Sequence, residues 1–215
     1  MIPALRRVFL VATPLTLAVV LWFHPPGGDD VYEGLREDVD AWRFVHTVFL
    51  LFIPLMAIAV YVLLNGLQSS AATVSRVALI FFLCFYTAYE VTIGLGAGIL
   101  VDYANGLPAA DQAVLADAIQ HYTGDDLLGD PVSVSLLLGL LGWVVAMIAA
   151  AIAFHGAGAG WAVTILLGVA AVFAVHPPPV GPVALICFAV AAALIERWRA
   201  RRVISLTGDE LLSVP

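Results

Sequence analysis

The chain has 215 residues, of which 62% are hydrophobic and only 12% are charged, and its formal net charge is −7. Soluble domains are usually about 45–50% apolar and about 25% charged, so this composition excludes an ordinary water-soluble domain and predicts a protein of the lipid bilayer. The acidic balance argues against a nucleic-acid partner, because nucleic acids are bound by basic surfaces.

The chain opens with a basic stretch, MIPALRR, and an apolar run from Val8 to Phe23. This pattern is similar to a secretory signal peptide, in which a basic region precedes an apolar one. No small-residue cleavage site follows, since the next residues are HPPGGDD. We therefore expect a first transmembrane helix that is retained.

Six apolar segments have about the length that crosses a bilayer, which takes roughly 20 mostly apolar residues. In chain order they are 6–23, 43–66, 74–101, 132–154, 161–176 and 180–197. The fifth is the shortest. Together they predict an all-α integral membrane protein: one bundle of six transmembrane helices over residues 1–202, followed by a flexible cytoplasmic tail over 203–215.

The two longest polar loops each predict a short helix. In the first, GGDDVYEGLREDVDAW, Asp29 or Asp30 is a suitable N-cap. In the second, between the third and fourth spans, PAADQAVLADAIQHY carries apolar residues at helical spacing: Val114, Leu115, Ala118, Ile119 and Tyr122. This second pattern predicts a short amphipathic helix that lies on the outer surface or caps the bundle.

The arginines predict the orientation. All nine basic residues of the chain are arginine. With six spans both termini lie on one side, which then holds Arg6, Arg7, Arg76, Arg197, Arg199, Arg201 and Arg202. The other side holds only Arg36 and Arg43. The positive-inside rule then places both termini in the cytoplasm of a multi-pass protein, which we expect in a prokaryotic plasma membrane.

Two His-Pro-Pro motifs, beginning at His24 and at His176, each follow a long apolar run. A residue that precedes proline avoids the α conformation, so each histidine is expected at a helix end. The predicted topology places both ends at the outer surface. His46 lies near the outer end of the second span, so the three histidines share one side of the membrane.

Glu90 lies inside the third span, about 21 Å from Arg76 and about 18 Å from Asp102 at a rise of 1.5 Å per residue. Ionisable residues inside membrane helices are uncommon and usually face the bundle interior. Tyr86 and Gly94 are four residues to either side and share its face. Gly94 and Gly98 form a GxxxG pattern, which predicts close contact with a neighbouring helix.

These residues lead to three hypotheses from different classes. In the first, the chain holds an outward-facing intramembrane His/Glu site that binds a transition metal, haem or a small ligand. Its metal ligands are His24, His46 and His176. In the second, the chain is a small proton- or cation-coupled transporter or channel that uses Glu90. In the third, it is a scaffold or accessory subunit without chemistry of its own.

The ligand- or proton-binding residues predicted for the first two hypotheses are Glu90, Tyr86 and His46. No two histidines stand at HxxH or HxxxH spacing, so any site has to be assembled from several helices. The expected partners lie in the membrane: the lipid bilayer itself, and a second copy of the chain or another membrane protein.

Overall fold

The structure is a computed structural model that describes residues 3–129 and 133–212, with side chains for 4–129 and 133–202. Every regular element in this part of the chain is helical. The α-helices are α1 (Pro3–Leu21), α2 (Val31–Leu35), α3 (Val39–Leu63), α4 (Ser70–Phe81), α5 (Thr87–Tyr89), α6 (Ala97–Asn105), α7 (Ala109–Thr123), α8 (Val134–Gly156), α9 (Trp161–Ala170) and α10 (Val180–Leu212).

Wider or tighter turns connect some of these helices without a break. π-Helical segments, Phe82–Tyr86 and Glu90–Gly96, join α4, α5 and α6 into one continuous helix from Ser70 to Asn105. A 3₁₀ turn, Ala171–Ala174, continues α9.

The prediction of an all-α membrane bundle is confirmed. Among the described residues, five helices are long and apolar enough to cross a bilayer: Ala4–Leu21, Val39–Leu63, Ser70–Asn105, Val134–Gly156 and Val180–Arg202. The fifth predicted span is shorter than expected, because α9 and its 3₁₀ turn end at Ala174. At about 1.5 Å per α residue and about 2.0 Å per 3₁₀ residue they extend only about 23 Å, against about 30 Å of hydrocarbon.

Two predicted boundaries fall partly outside the described residues. The fourth predicted span begins at residue 132, which is not described, and α8 begins at Val134. The predicted flexible tail, 203–215, begins within α10, and its last three residues are outside the described part of the chain. The tail and the cytoplasmic placement of both termini therefore stay predictions.

The bundle core lies where α1 packs on α3 and α10, α4 packs on α8, and α9 packs on α8 and α10. Large side chains such as Phe49, Phe154 and Phe188 are fully buried there. Several polar atoms in this core have partners within the bundle, where no water is at hand. The Trp143 indole N–H, for example, donates to the Ala170 carbonyl oxygen at 3.0 Å.

At one end of the bundle, α2, α7 and the last turns of α6 form a layer that we call the outer cap. Its apolar residues make a second cluster: Tyr32, Leu35, Val39, Trp42, Val101, Ala104 and Ile119. The Tyr32 hydroxyl donates to Asn105 Oδ1 at 3.1 Å, and Arg43 pairs with Asp102. These contacts fix the cap to the ends of the long helices.

Both predicted loop helices are present, as α2 and α7. Asp30 caps α2, since its side chain accepts from the Glu33 amide at 3.0 Å. The predicted apolar face of α7 is only partly correct. Ile119 is buried in the outer cap, whereas Val114 is 72% exposed and Tyr122 is 40% exposed.

The packing of α4 on α8 depends on Gly142. A Cβ at this position would lie 2.6 Å from the Phe82 backbone nitrogen and 3.0 Å from the Ala78 carbonyl oxygen. We expect Gly142→Ala to lower the free energy of unfolding in detergent by about 1–3 kcal/mol, because backbone atoms have to move apart.

Gly168→Ala is the matched control, because no atom lies within 4 Å of the added methyl group. Alanine is the better helix former, so this change is expected to be neutral or stabilising by up to about 1 kcal/mol. Equal destabilisation of the two variants would contradict the close packing of α4 on α8.

Candidate metal centre

Three buried histidines meet beneath the outer cap. His24 follows the end of α1, His46 lies two turns into α3, and His176 follows the 3₁₀ turn after α9. Their side chains contribute one nitrogen each to a group whose atoms all lie within 4.8 Å of one another. The three residues are 7%, 2% and 9% exposed. Helices far apart in the sequence therefore bring three potential metal ligands to one buried point.

The closest pair of ring nitrogens has the spacing of two ligands on one metal ion. His24 Nε2 and His176 Nε2 are 3.2 Å apart. Zinc–nitrogen bonds of about 2.0–2.1 Å in a tetrahedron place neighbouring ligand atoms about 3.3 Å apart. The third nitrogen, from His46, lies within 4.8 Å of the other two.

The Glu90 carboxylate lies against the same group. Its Oε2 is 3.8 Å from His46 Nε2, and its Oε1 is 3.8 Å from His176 Nδ1. The residue is 1% exposed, and neither oxygen has a hydrogen-bond partner among the described residues. A buried carboxylate without partners is costly, so this position favours a cation beside Glu90.

Hydrogen bonds to backbone carbonyls assign the tautomers of two of the histidines. His24 Nδ1 lies 2.6 Å from the Pro25 carbonyl oxygen, and His46 Nδ1 lies 2.8 Å from that of Trp42. Carbonyl oxygens only accept, so each Nδ1 carries a proton, and in the neutral ring Nε2 then presents a lone pair. Burial lowers the pKa of His24 below its ordinary value, which keeps its ring in the neutral form that binds metals.

Tyr86 completes the same pattern for His176. Its hydroxyl lies 2.9 Å from the Ala174 carbonyl oxygen and 2.9 Å from His176 Nδ1. The hydroxyl has one proton, and donating it to Ala174 leaves the hydroxyl oxygen to accept from His176 Nδ1–H. All three Nε2 atoms then present lone pairs, and each ring donates its other N–H to an oxygen, as metal-binding histidines usually do.

Aromatic side chains form the walls of the site. The Trp42 ring stacks on His46 with ring centroids 4.1 Å apart, and Phe49 lies 4.8 Å from His176. The Trp42 indole N–H donates to the Gly94 carbonyl oxygen at 2.7 Å. Trp42 was not among the predicted site residues, although its position four residues before His46 places both on one face of α3.

Two glycines allow α3 to approach the long helix. A Cβ at Gly94 would collide with the His46 ring, and one at Gly98 would lie 2.9 Å from the Arg43 side chain and 3.0 Å from that of Trp42. The close helix contact predicted from the GxxxG pattern is thus confirmed. Gly94 belongs to the π-helical turn that begins at Glu90, and such turns are frequent at functional sites.

The structure brings together all five residues that the sequence analysis placed at a site: His24, His46, His176, Glu90 and Tyr86. The histidines differ in one respect from the prediction, which put His24 and His176 at helix ends on the outer surface. All five side chains are buried and in contact, because α1 and α9 end early while the long helix continues to Asn105 and carries the cap.

No protein-family model, curated protein sequence or solved structure matches this chain. Its function is therefore inferred from the chemistry of the site.

Gly94 positions His46 and Glu90, since its added Cβ would also lie 2.8 Å from His46 Cγ and 3.0 Å from Glu90 Oε2. We expect Gly94→Ala to destabilise the protein in thermal unfolding by about 1–3 kcal/mol, because the rigid ring has to shift. Gly106→Ala is the control, since the nearest atom to its added methyl is 3.5 Å away. A Gly94 variant as stable as the control would show that the helices can separate freely here.

Proposed function

We propose that this membrane protein binds a transition-metal ion through the Nε2 atoms of His24, His46 and His176, with the Glu90 carboxylate as the fourth donor. The observation that carries the proposal is the pairing of convergent ring nitrogens with a buried carboxylate that has no hydrogen bond. Without a cation, His24 Nε2 and His176 Nε2 can only share one proton across 3.2 Å, and the carboxylate has no hydrogen-bond partner among the described residues. A bound cation removes both costs.

Three imidazoles and one carboxylate favour a particular set of metals. Mg²⁺ and Ca²⁺ prefer oxygen ligands, whereas Zn²⁺, Cu²⁺ and Fe²⁺ accept imidazole. Three imidazole nitrogens and a neighbouring carboxylate suit Zn²⁺ best. A centre in which all four positions are protein ligands is typical of a tightly held ion, whereas a catalytic zinc usually keeps one position for water.

The ring packing supports a bare ion over haem. The ring centroid of His24 is 4.9 Å from that of His46 and 4.9 Å from that of His176. Two axial histidines have to stand on opposite faces of a haem, with the flat macrocycle between them. These three rings instead contact one another edge to face, which suits donors around a single ion.

The surroundings of Glu90 give less support to transport. A transported proton or cation needs polar groups along the whole path. On the side of the cluster away from the outer cap, the helices contribute apolar side chains that are fully buried, including Ile53, Met56 and Phe82. Among the described residues, the Glu90 cluster thus lies at one end of the bundle with apolar side chains behind it.

The two His-Pro-Pro motifs support access from the outer side. Pro26 and Gly27 are exposed two and three residues after buried His24, and Pro177 is exposed directly after buried His176. These segments form the surface nearest to the histidines. An ion that reaches the site through them comes from the face predicted to be external.

Elemental analysis tests the metal centre directly. We expect full-length protein purified after growth with zinc to retain one zinc ion per chain. His46→Ala should reduce this content to about a tenth or less, because losing a ligand weakens binding by more than the roughly 10- to 100-fold that follows loss of a hydrogen bond to a ligand. His121→Ala is the control, since His121 is exposed on α7 and outside the cluster.

Two results of this measurement would contradict the proposal. If the wild-type protein binds neither zinc nor copper at micromolar concentration, the histidine cluster serves only to stabilise the fold. An absorption band at about 400 nm in the purified protein would show that the site takes haem instead.

The role of Glu90 as a donor is tested by Glu90→Gln, which keeps the side-chain volume and removes the negative charge. In competition with a chelator, we expect zinc affinity to fall by about 10- to 100-fold or more, with the histidines still binding. Glu33→Gln, in an exposed ion pair with Arg36 on α2, is the matched control. Unchanged affinity in the Glu90 variant would exclude the carboxylate as a metal ligand.

A further inference from the structure

A basic groove runs between α1 and α10 at the end of the bundle opposite to the outer cap. It is a cavity of about 340 Å³. Its lining combines three arginines with small apolar side chains: Arg7, Arg197, Arg201, Val11, Ala193 and Ala200. Charge at one end and apolar surface at the other is the pattern of an amphipathic ligand site.

The positive charge of the groove is not neutralised within the described part of the chain. Glu196 also lines the groove, but its Oε1 accepts from Arg6 at 2.8 Å and from Arg199 at 3.1 Å. Arg7, Arg197 and Arg201 are exposed and make no ion pair with any described residue. Among the residues whose side chains are described, the groove thus has an excess of positive charge.

The depth of these arginines matches that of lipid phosphates. At 1.5 Å per residue along α10, Arg197 and Arg201 lie about 26 and 32 Å from Val180. The hydrocarbon core is about 30 Å thick, so they stand at its edge, where headgroups begin. Arg7 is in the second turn of α1 and lies at the same depth in the bilayer. The arginine distribution predicts this leaflet to be the cytoplasmic one.

We propose that this groove binds the phosphate headgroup of an anionic phospholipid, with Arg7, Arg197 and Arg201 around the phosphate and an acyl chain along Val11 and Ala193. Guanidinium groups bind phosphate oxygens through paired hydrogen bonds. Basic pockets between membrane helices bind such headgroups. The apolar half of the lining favours a lipid over free phosphate. This site is separate from the metal centre and does not depend on it.

Native mass spectrometry of the full-length protein in detergent tests the site. Three probes are added separately at equal concentration: dioleoyl-phosphatidylglycerol, dioleoyl-phosphatidylcholine and inorganic phosphate. We expect one tightly retained phosphatidylglycerol per chain and little retention of the other two probes. Equal retention of phosphatidylcholine, or retention of inorganic phosphate alone, would overturn the proposal.

Substitutions locate the binding. Each arginine near a headgroup contributes about 1 kcal/mol to the free energy of lipid binding. We therefore expect retention to weaken about fivefold in each of the single variants Arg7→Gln, Arg197→Gln and Arg201→Gln, and about 100-fold in the triple variant. Arg36→Gln, in an exposed ion pair on α2, should retain the lipid as wild type does. The single variants keep the test decisive if the triple variant does not fold. Undiminished retention in all three single variants would show that the lipid binds elsewhere.

Discussion

The outer half of this bundle is organised around the buried carboxylate of Glu90. A carboxylate that is 1% exposed and has no hydrogen bond has to find a cation or lose its charge. Its neighbours are the rings of His46 and His176, which are neutral in the tautomers that their partners assign and so supply no positive charge. A metal ion held by these rings would supply it. The proposed centre would satisfy both donor types, the lone pairs and the carboxylate.

The backbone around the site is arranged so that each ring has one nitrogen free. The carbonyl groups of Pro25 and Trp42 engage Nδ1 of His24 and His46, while the Tyr86 hydroxyl, directed by the Ala174 carbonyl, engages Nδ1 of His176. Two of these carbonyls lie in segments where a helix has ended, and helix ends are where carbonyl groups are left without intrahelical partners. The early ends of α1 and α9 therefore place the histidines and also supply acceptors for them.

Composition and hydrophobic length were sufficient to predict the membrane bundle, because burial in lipid demands long apolar helices. The proline after His24 and after His176 predicted that each ends a helix, and the cost of a buried carboxylate identified Glu90. The depth of the site was not predictable. It depends on how far α9 extends and on a cap whose contacts, such as Tyr32 with Asn105, join segments distant in sequence. Trp42 was missed because its ring could be read as an ordinary interfacial aromatic.

Polar contacts at both ends hold α1 in the bundle. Apolar helices in lipid gain little from the hydrophobic effect when they associate, so packing and polar contacts decide their arrangement. At one end, Arg6 of α1 pairs with Glu196 of α10, which also binds Arg199. At the other end, His24 is the contact of the α1 segment with the cluster formed by α3 and the segment after α9. A metal ion at that cluster would replace a contact between facing lone pairs by bonds to a shared ion. Metal binding would then be coupled to the packing of α1 against the bundle. The ion would thereby stabilise the outer half of the bundle.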